Sequence, residues 1–244
     1  MSREPAAAMA VVVPVRDEEA LLAASLFALA DAVEVAARAG IRTEVRVVLD
    51  RCSDSSEDVA RAFPFPVLFS GEGRVGAARA LGVADALDSL RGVPRSRVWI
   101  TNTDADSRVP RNWLTHFREI SRRADVCLGT VRPEFADLTP QQRSIWLRTH
   151  IRGRPAGNVH GANLGLSAAH YVAVGGFAPL GEHEDVDLVA RCRNAGALVA
   201  VSDEAEVITS GRTTGRTPGG YSGFLRRQRA DLEELGSRGS SVDP

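Results

Sequence analysis

Residues 98–114, VWITNTDADSRVPRNWL, join an apolar run to a turn holding two aspartates and then to a proline that can open a helix. Residues 98–101 read as a buried strand, because a short uncharged run with β-branched and aromatic members fits a sheet covered on both faces. The strand ends in Thr103-Asp104-Ala105-Asp106, and Pro110 suits the first position of a helix predicted through Arg122. The same alternation occurs three times upstream. Residues 10–15 form a predicted strand, followed by a helix over roughly 18–39 that Gly40 stops. Residues 45–49 form the second strand, ending on Asp50, with Ser53 or Asp54 as cap for a helix to about residue 62. Residues 67–69 form the third, with a helix over about 75–90. Four strand–helix units in succession predict an α/β protein with a mostly parallel, doubly wound sheet and helices on both faces.

Past residue 125 the rhythm loosens. Residues 126–130 and 163–166 read as strands, 140–150 and 185–195 as helices, with a Gly- and Arg-rich loop reaching Gly161. No repeat or linker interrupts the chain. The expected organisation is a short tail over 1–9, one domain over 10–235 in two halves (10–125 and 126–235), and a flexible Ser/Gly-rich tail over 236–244.

Composition excludes several chemistries. The 244 residues carry 30 basic and 31 acidic side chains, for a net charge of −1, and every basic one is arginine. Without lysine there is no Schiff-base or pyridoxal-phosphate chemistry and no Walker-A loop. The balanced charge offers no general nucleic-acid footprint. Cys52, Cys127 and Cys192 are widely spaced, which suits reduced thiols and a cytoplasmic location. The apolar start is broken by Arg16, Asp17 and Glu18, so no signal peptide is expected. No segment has the length of an integral membrane span.

Four groups of residues could carry function. Asp104 and Asp106, two apart at a strand end, can both reach one hard cation, Mg2+ or Mn2+, which would bridge diphosphate oxygens. The same pair also suits a solvated turn capping the next helix, and Asp50 is equally a turn residue or a ligand contact. In His183-Glu184-Asp185-Val186-Asp187, Asp185 could serve as general base, or the acids could simply complement a helix dipole. A zinc H-E-x-x-H fails there, because position 187 is Asp. Gly71-Glu72-Gly73-Arg74-Val75-Gly76 is a literal G-x-G-x-x-G, but it follows the third strand and lacks the later acidic ribose contact, so it reads more simply as a turn into a helix. Arg212 and Arg216 lie in a glycine-rich stretch whose guanidinium forks suit phosphate, as a lid or merely as a surface loop. Gly165-Leu166-Ser167-Ala168-Ala169 lacks the second glycine of a hydrolase elbow.

In chain order, VVVPVRDEEALL, VLDRCSDSS, GRVGAARALG, NTDADS with PRNWL, GANLGLSAAHYVAVGGF and EHEDVDLVARCRNAG resemble the segments of family-2 glycosyltransferases of the GT-A fold, over roughly residues 10–225. Arg79 stands at the family's arginine, and Ala80 replaces its usual asparagine. The resemblance implies a nucleotide-sugar half over 10–125 and an acceptor and catalytic half over 126–235. It places Pro14, Val15, Arg16, Glu18, Asp50, Arg79, Asp104, Arg212 and Arg216 toward the donor. Asp104 and Asp106 would hold the metal, and Asp185, with Glu184 beside it, would be catalytic. The family's Q-x-x-R-W is absent, which argues against a processive synthase.

The implied reaction is transfer of a sugar from a nucleotide-diphosphate donor to the hydroxyl of a small-molecule, lipid or glycan acceptor, with inversion. Alternative readings are an NAD-dependent oxidoreductase on the 71–76 loop, a sugar-phosphate nucleotidylyltransferase, whose basic glycine loop the first turn lacks, and a non-catalytic nucleotide-sugar-binding module.

Overall fold

The computed structural model describes residues 3–215 and 219–240, with 233–240 by their backbone alone. The first half runs β1 (Ala8–Val15), α1 (Leu22–Arg38), β2 (Arg42–Asp50), α2 (Ser56–Arg61), β3 (Val67–Ser70), α3 (Val75–Ser89) and β4 (Val98–Asn102). It continues through β5 (Ser107–Arg108), α4 (Trp113–Ile120), β6 (Val126–Pro133), α5 (Pro140–Thr149), β7 (Leu164–Ser167), α6 (Ala168–Ala173), α7 (Glu184–Asn194), β8 (Val199–Thr209) and α8 (Tyr221–Ser240).

The strands form one sheet in the order β3-β2-β1-β4-β7-β6-β8-β5. β1 pairs in parallel with β2 and β4, and β2 with β3. β7 runs antiparallel to both β4 and β6, β6 pairs in parallel with β8, and β5 is antiparallel to β8. All strands except β7 and β5 therefore point one way. This is the mostly parallel α/β architecture expected from the first four units.

The uninterrupted apolar character of β1 follows from its two covered faces. Met9, Val11, Val13 and Val15 pack with α1 and α4 residues such as Leu26, Trp113 and Phe117. Ala8, Ala10 and Val12 pack on the other face with α3, α6 and α7 residues such as Val83, Tyr171 and Leu188. Pro14 falls after Val12, the last partner of β4, so a residue without an N–H is tolerated where the ladder is one-sided.

Several element starts differ from the sequence reading, each for a local reason. α1 begins at Leu22, because the N–H groups of Leu21 and Leu22 turn back to the Glu18 carbonyl. α2 begins at Ser56, because the Ser53 N–H is held by Asp17 Oδ1 and Asp54 Oδ1 accepts from the Ser56 N–H. Pro110 stands in a turn ahead of α4, with the Trp113 N–H on its carbonyl. β5, α6, β8 and α8 have no counterpart in the sequence reading. α8 also carries helix through Ser240, into the 236–244 stretch expected to be a tail.

Candidate functional site

The carboxyl ends of β1, β2, β4 and β8 and the amino end of the antiparallel β7 meet at one edge of the sheet. That edge is where open α/β sheets bind ligands, because loops diverge there and leave a crevice. The crevice has a volume of about 780 Å3, and Pro14, Val15, Arg16, Glu18, Asp50, Arg79, Asp104, Asp106, Glu184, Asp185 and Arg212 all line it. Arg216, expected beside Arg212, lies outside the described residues.

The turns below the crevice are braced by each other. Asp17 adopts φ 46°, and its Oδ1 accepts from the Ser53 N–H at 2.6 Å. The Glu18 N–H donates to Ser56 Oγ at 2.8 Å, and the Glu19 N–H to Asp54 Oδ2 at 2.9 Å. The small polar residues after β2 thus shape the β1 turn. Asp50 is buried and accepts from the Gly73 N–H at 2.9 Å, while Arg16 donates to the Gly73 carbonyl at 3.2 Å. Arg51 and His183 also hold positive φ, 54° and 62°. With Asp17 they are the non-glycine residues of this kind among those described, and strained backbone of this sort gathers at ligand sites.

Gly76, the last glycine of the 71–76 motif, is needed for packing. A Cβ there would lie 2.0 Å from the Ala178 carbonyl oxygen, and its N–H donates to the Leu180 carbonyl at 3.0 Å. Gly76 therefore lets α3 meet the segment ahead of α7.

Arg79 of α3 sits in the crevice floor at 2% exposure. Its Nε donates to Glu184 Oε1 at 2.9 Å and its Nη2 to Asp104 Oδ1 at 2.6 Å. Burial works against the guanidinium charge, but Asp104, Glu184 and Asp185 outweigh it and push its pKa above the usual arginine value. Burial pushes the Glu184 carboxyl up, against the pull of Arg79. Gly161 packs on this guanidinium so closely that a Cβ would lie 2.5 Å from Arg79 Nη2 and 3.5 Å from Asp185 Oδ2. Asp185 is half-buried, and its Oδ1 accepts from the Val186 N–H at 2.8 Å. Asp187 turns away, paired with Arg191 at 2.7 Å, whose guanidinium also holds the Gly176 carbonyl.

Across the floor, Asp106 accepts from Ser107 Oγ at 3.2 Å and Thr209 Oγ1 at 3.3 Å. Burial, then the neighbouring Asp104, lift its carboxyl to about 6, against the pull of Arg212. Arg212 lies 3.0 Å from Asp106 Oδ2 and donates to Glu18 Oε2 at 2.7 Å. Glu18, Asp104, Asp106, Glu184 and Asp185 thus face the guanidiniums of Arg79 and Arg212, leaving an excess of carboxylate. Asp104 and Asp106 are hard oxygen donors of the kind that hold Mg2+ or Mn2+ with help from substrate phosphates, so the residues present fit such an ion. Among the described residues, Asp17, Cys52 and Asp54 also bring three potential ligand atoms within 4.8 Å of one another. Two of those three already accept backbone N–H groups in the braced turn.

The far wall was not anticipated. It is built by Trp146 of α5 and His150 just after it, by His160 and by Tyr221 and Phe224 of α8. Trp146 stacks on His150 with ring centroids 4.2 Å apart, and Tyr221 meets His160 edge-on at 5.9 Å. Burial pushes the His160 pKa down, against Asp185 and Asp104. The one local signal for His160 was its place beside Gly161 in the GANLGL segment.

The fold has solved counterparts. S. aureus TarS superposes with a TM-score of 0.59 at 16% identity, over 83% of this chain and 36% of TarS. The mannosyltransferase PcManGT from Pyrobaculum calidifontis, in complex with GDP-Man and Mn2+, gives 0.57 at 18%, over 87% of this chain and 59% of that one. Glucosyl-3-phosphoglycerate synthase from Mycobacterium tuberculosis, in complex with Mn2+, UDP and phosphoglyceric acid, gives 0.54 at 16%, over 94% and 73%. The chain thus spans little more than a third of TarS. No curated protein matches it. The family model described as Glycosyl transferase family 2 matches residues 10–174, and with more than half of its length so matched the chain belongs to that family.

Proposed function

We propose that this protein transfers a sugar from a nucleotide-diphosphate donor to an acceptor hydroxyl. The observation that carries the reading is Asp185 sharing one crevice with the Asp104/Asp106 pair, joined to it through Arg79 and Glu184. The half formed by 10–125 would take the donor and the half formed by 126–235 the acceptor. Pro14, Val15, Arg16 and Asp50 would line the nucleoside, and Arg212 the diphosphate.

Asp185 would accept the proton of the acceptor hydroxyl as its oxygen attacks the anomeric carbon. The bond from that carbon to the diphosphate oxygen breaks in the same displacement, which inverts configuration. Asp104 and Asp106 would hold Mg2+ or Mn2+, which when bound supplies positive charge to the departing diphosphate. Glu184 would position Arg79 rather than move a proton, since its carboxylate is turned to that guanidinium. Three cysteines without a disulfide suit a reducing compartment such as the cytoplasm.

The deciding experiment is Asp185→Asn. Turnover is expected to fall by about 10²–10⁴-fold while nucleotide-sugar affinity stays unchanged. A kcat near that of the unaltered protein would remove Asp185 from the chemistry.

A further inference from the structure

Acidic residues are absent from two long stretches of a chain that has slightly more acids than bases. No Asp or Glu occurs from Leu138 to Gly181, or again from Val207 to Ala230. The fold brings these stretches together, because α5 packs on α8 with Gln142 Nε2 donating to the Leu225 carbonyl at 2.9 Å. Arg143, Arg148, Arg152 and Arg154 are exposed on and after α5, and Arg226 on α8. Asp137 and Asp203, which reach this region, already accept from the N–H groups of Gly211 and Gly153.

Leu147 shares a surface hollow with Arg143 and Arg148 on the outer side of α5, and other large apolar side chains nearby in the chain stand in water. Leu147 is 52% exposed and Ile151 59%. Phe224, 49% exposed, stacks on Tyr221 and lines the crevice on the other side of α5. A polyanion such as a nucleic acid would use the charge and leave Leu147 and Ile151 in water. An anionic bilayer uses both, because acyl boundary takes the apolar side chains while headgroup phosphates meet the guanidiniums. No described helix is long and apolar enough to cross a membrane, so the geometry is that of lying on a surface.

We propose that the outer face of α5, with the arginines that follow it, is a docking surface for an anionic phospholipid bilayer. The docking is independent of the transferase reading, and its test contains no turnover measurement.

The test is flotation of the full chain with two kinds of vesicle, pure phosphatidylcholine and phosphatidylcholine with about one third phosphatidylglycerol. Binding is expected to the anionic vesicles alone and to weaken with salt. Arg148→Gln with Arg152→Gln should lower partitioning by about fivefold per arginine removed, and Leu147→Ser with Ile151→Ser should also lower it. Arg38→Gln with Arg91→Gln, exposed on other elements, should leave it unchanged. Absence of binding at low salt overturns the proposal, as does equal loss in the Arg38/Arg91 pair. A protein dimer broken by the Leu147/Ile151 pair, without vesicle binding, would assign the face to a second copy and overturn it as well.

Discussion

Arg79 Nε and Glu184 Oε1, on residues 105 positions apart, meet at 2.9 Å in the floor of the crevice, and both side chains are almost fully buried. The pair ties α3 of the first half to α7 of the second. Removing one partner strands the other charge in a dry site. Arg79→Met should therefore destabilise the fold by about 3–5 kcal/mol in urea unfolding. Adding Glu184→Gln to that variant should cost far less than it does alone. Additive losses would show that the two residues do not act as a unit.

Asp106 has a pH signature. Its folded pKa, about 6, lies above the ordinary carboxylate value of 3.8, so the folded state binds this proton more tightly than the unfolded chain does. Asp106 therefore favours folding at low pH, and that contribution is lost as pH rises through about 6. Asp106→Asn should raise the metal-free Tm at pH 8. A lower Tm there would contradict a buried, cation-deficient carboxylate.

Proton and metal compete for the same oxygens. Mn2+ affinity in calorimetric titrations should be flat above pH 7 and fall as pH drops below about 6, while Asp106→Asn should abolish the Mn2+-dependent rise in Tm. Affinity that ignores pH over that window would move the cation elsewhere.

Arg212 closes over Glu18 and Asp106 from 194 positions downstream of Glu18. Arg212→Ala should weaken nucleoside-diphosphate binding by about 1–3 kcal/mol, the cost of losing a charged hydrogen bond. Unchanged affinity by calorimetry would leave this arginine a purely structural counter-ion.

Asn163 is a hub of a different kind. Its Oδ1 accepts from the Trp113 indole N–H at 2.9 Å, and its Nδ2 donates to the Thr130 and Ala205 carbonyls at 2.9 Å each. Asn163→Ala leaves these groups buried and unpaired, and should cost about 3 kcal/mol or more in stability. A loss under about 1 kcal/mol would mean that water replaces the amide.

The elements that were legible are those whose burial is uniform. β1 is covered on both faces, so VVV stands out as apolar without any knowledge of its neighbours. β8 was hidden, because Asp203, Glu204 and Glu206 interrupt it. Only its pairing with β6 shows that Ser202, Ala205, Val207 and Thr209 face inward. α8 was hidden by the glycines at 219, 220 and 223, and α5 helps hold it in place. The aromatic wall had no local mark beyond the place of His160 beside Gly161, because Trp146, His160 and Tyr221 come from three separate segments.

By itself the sequence determined the chain of strand–helix units, the two aspartates at a strand end and the exclusion of lysine chemistry. Each follows from local pattern or composition, where neighbours within a turn or a strand supply the physics. Tertiary structure alone decided what those residues face. Arg79, placed toward the donor by the resemblance, is also the buried link between Asp104 and Glu184, because charges far apart in the chain must be paired once water is excluded. The all-arginine composition acquired its meaning the same way. Two guanidiniums, Arg79 and Arg212, each bridge two crevice carboxylates, a pairing that no count of charges contains.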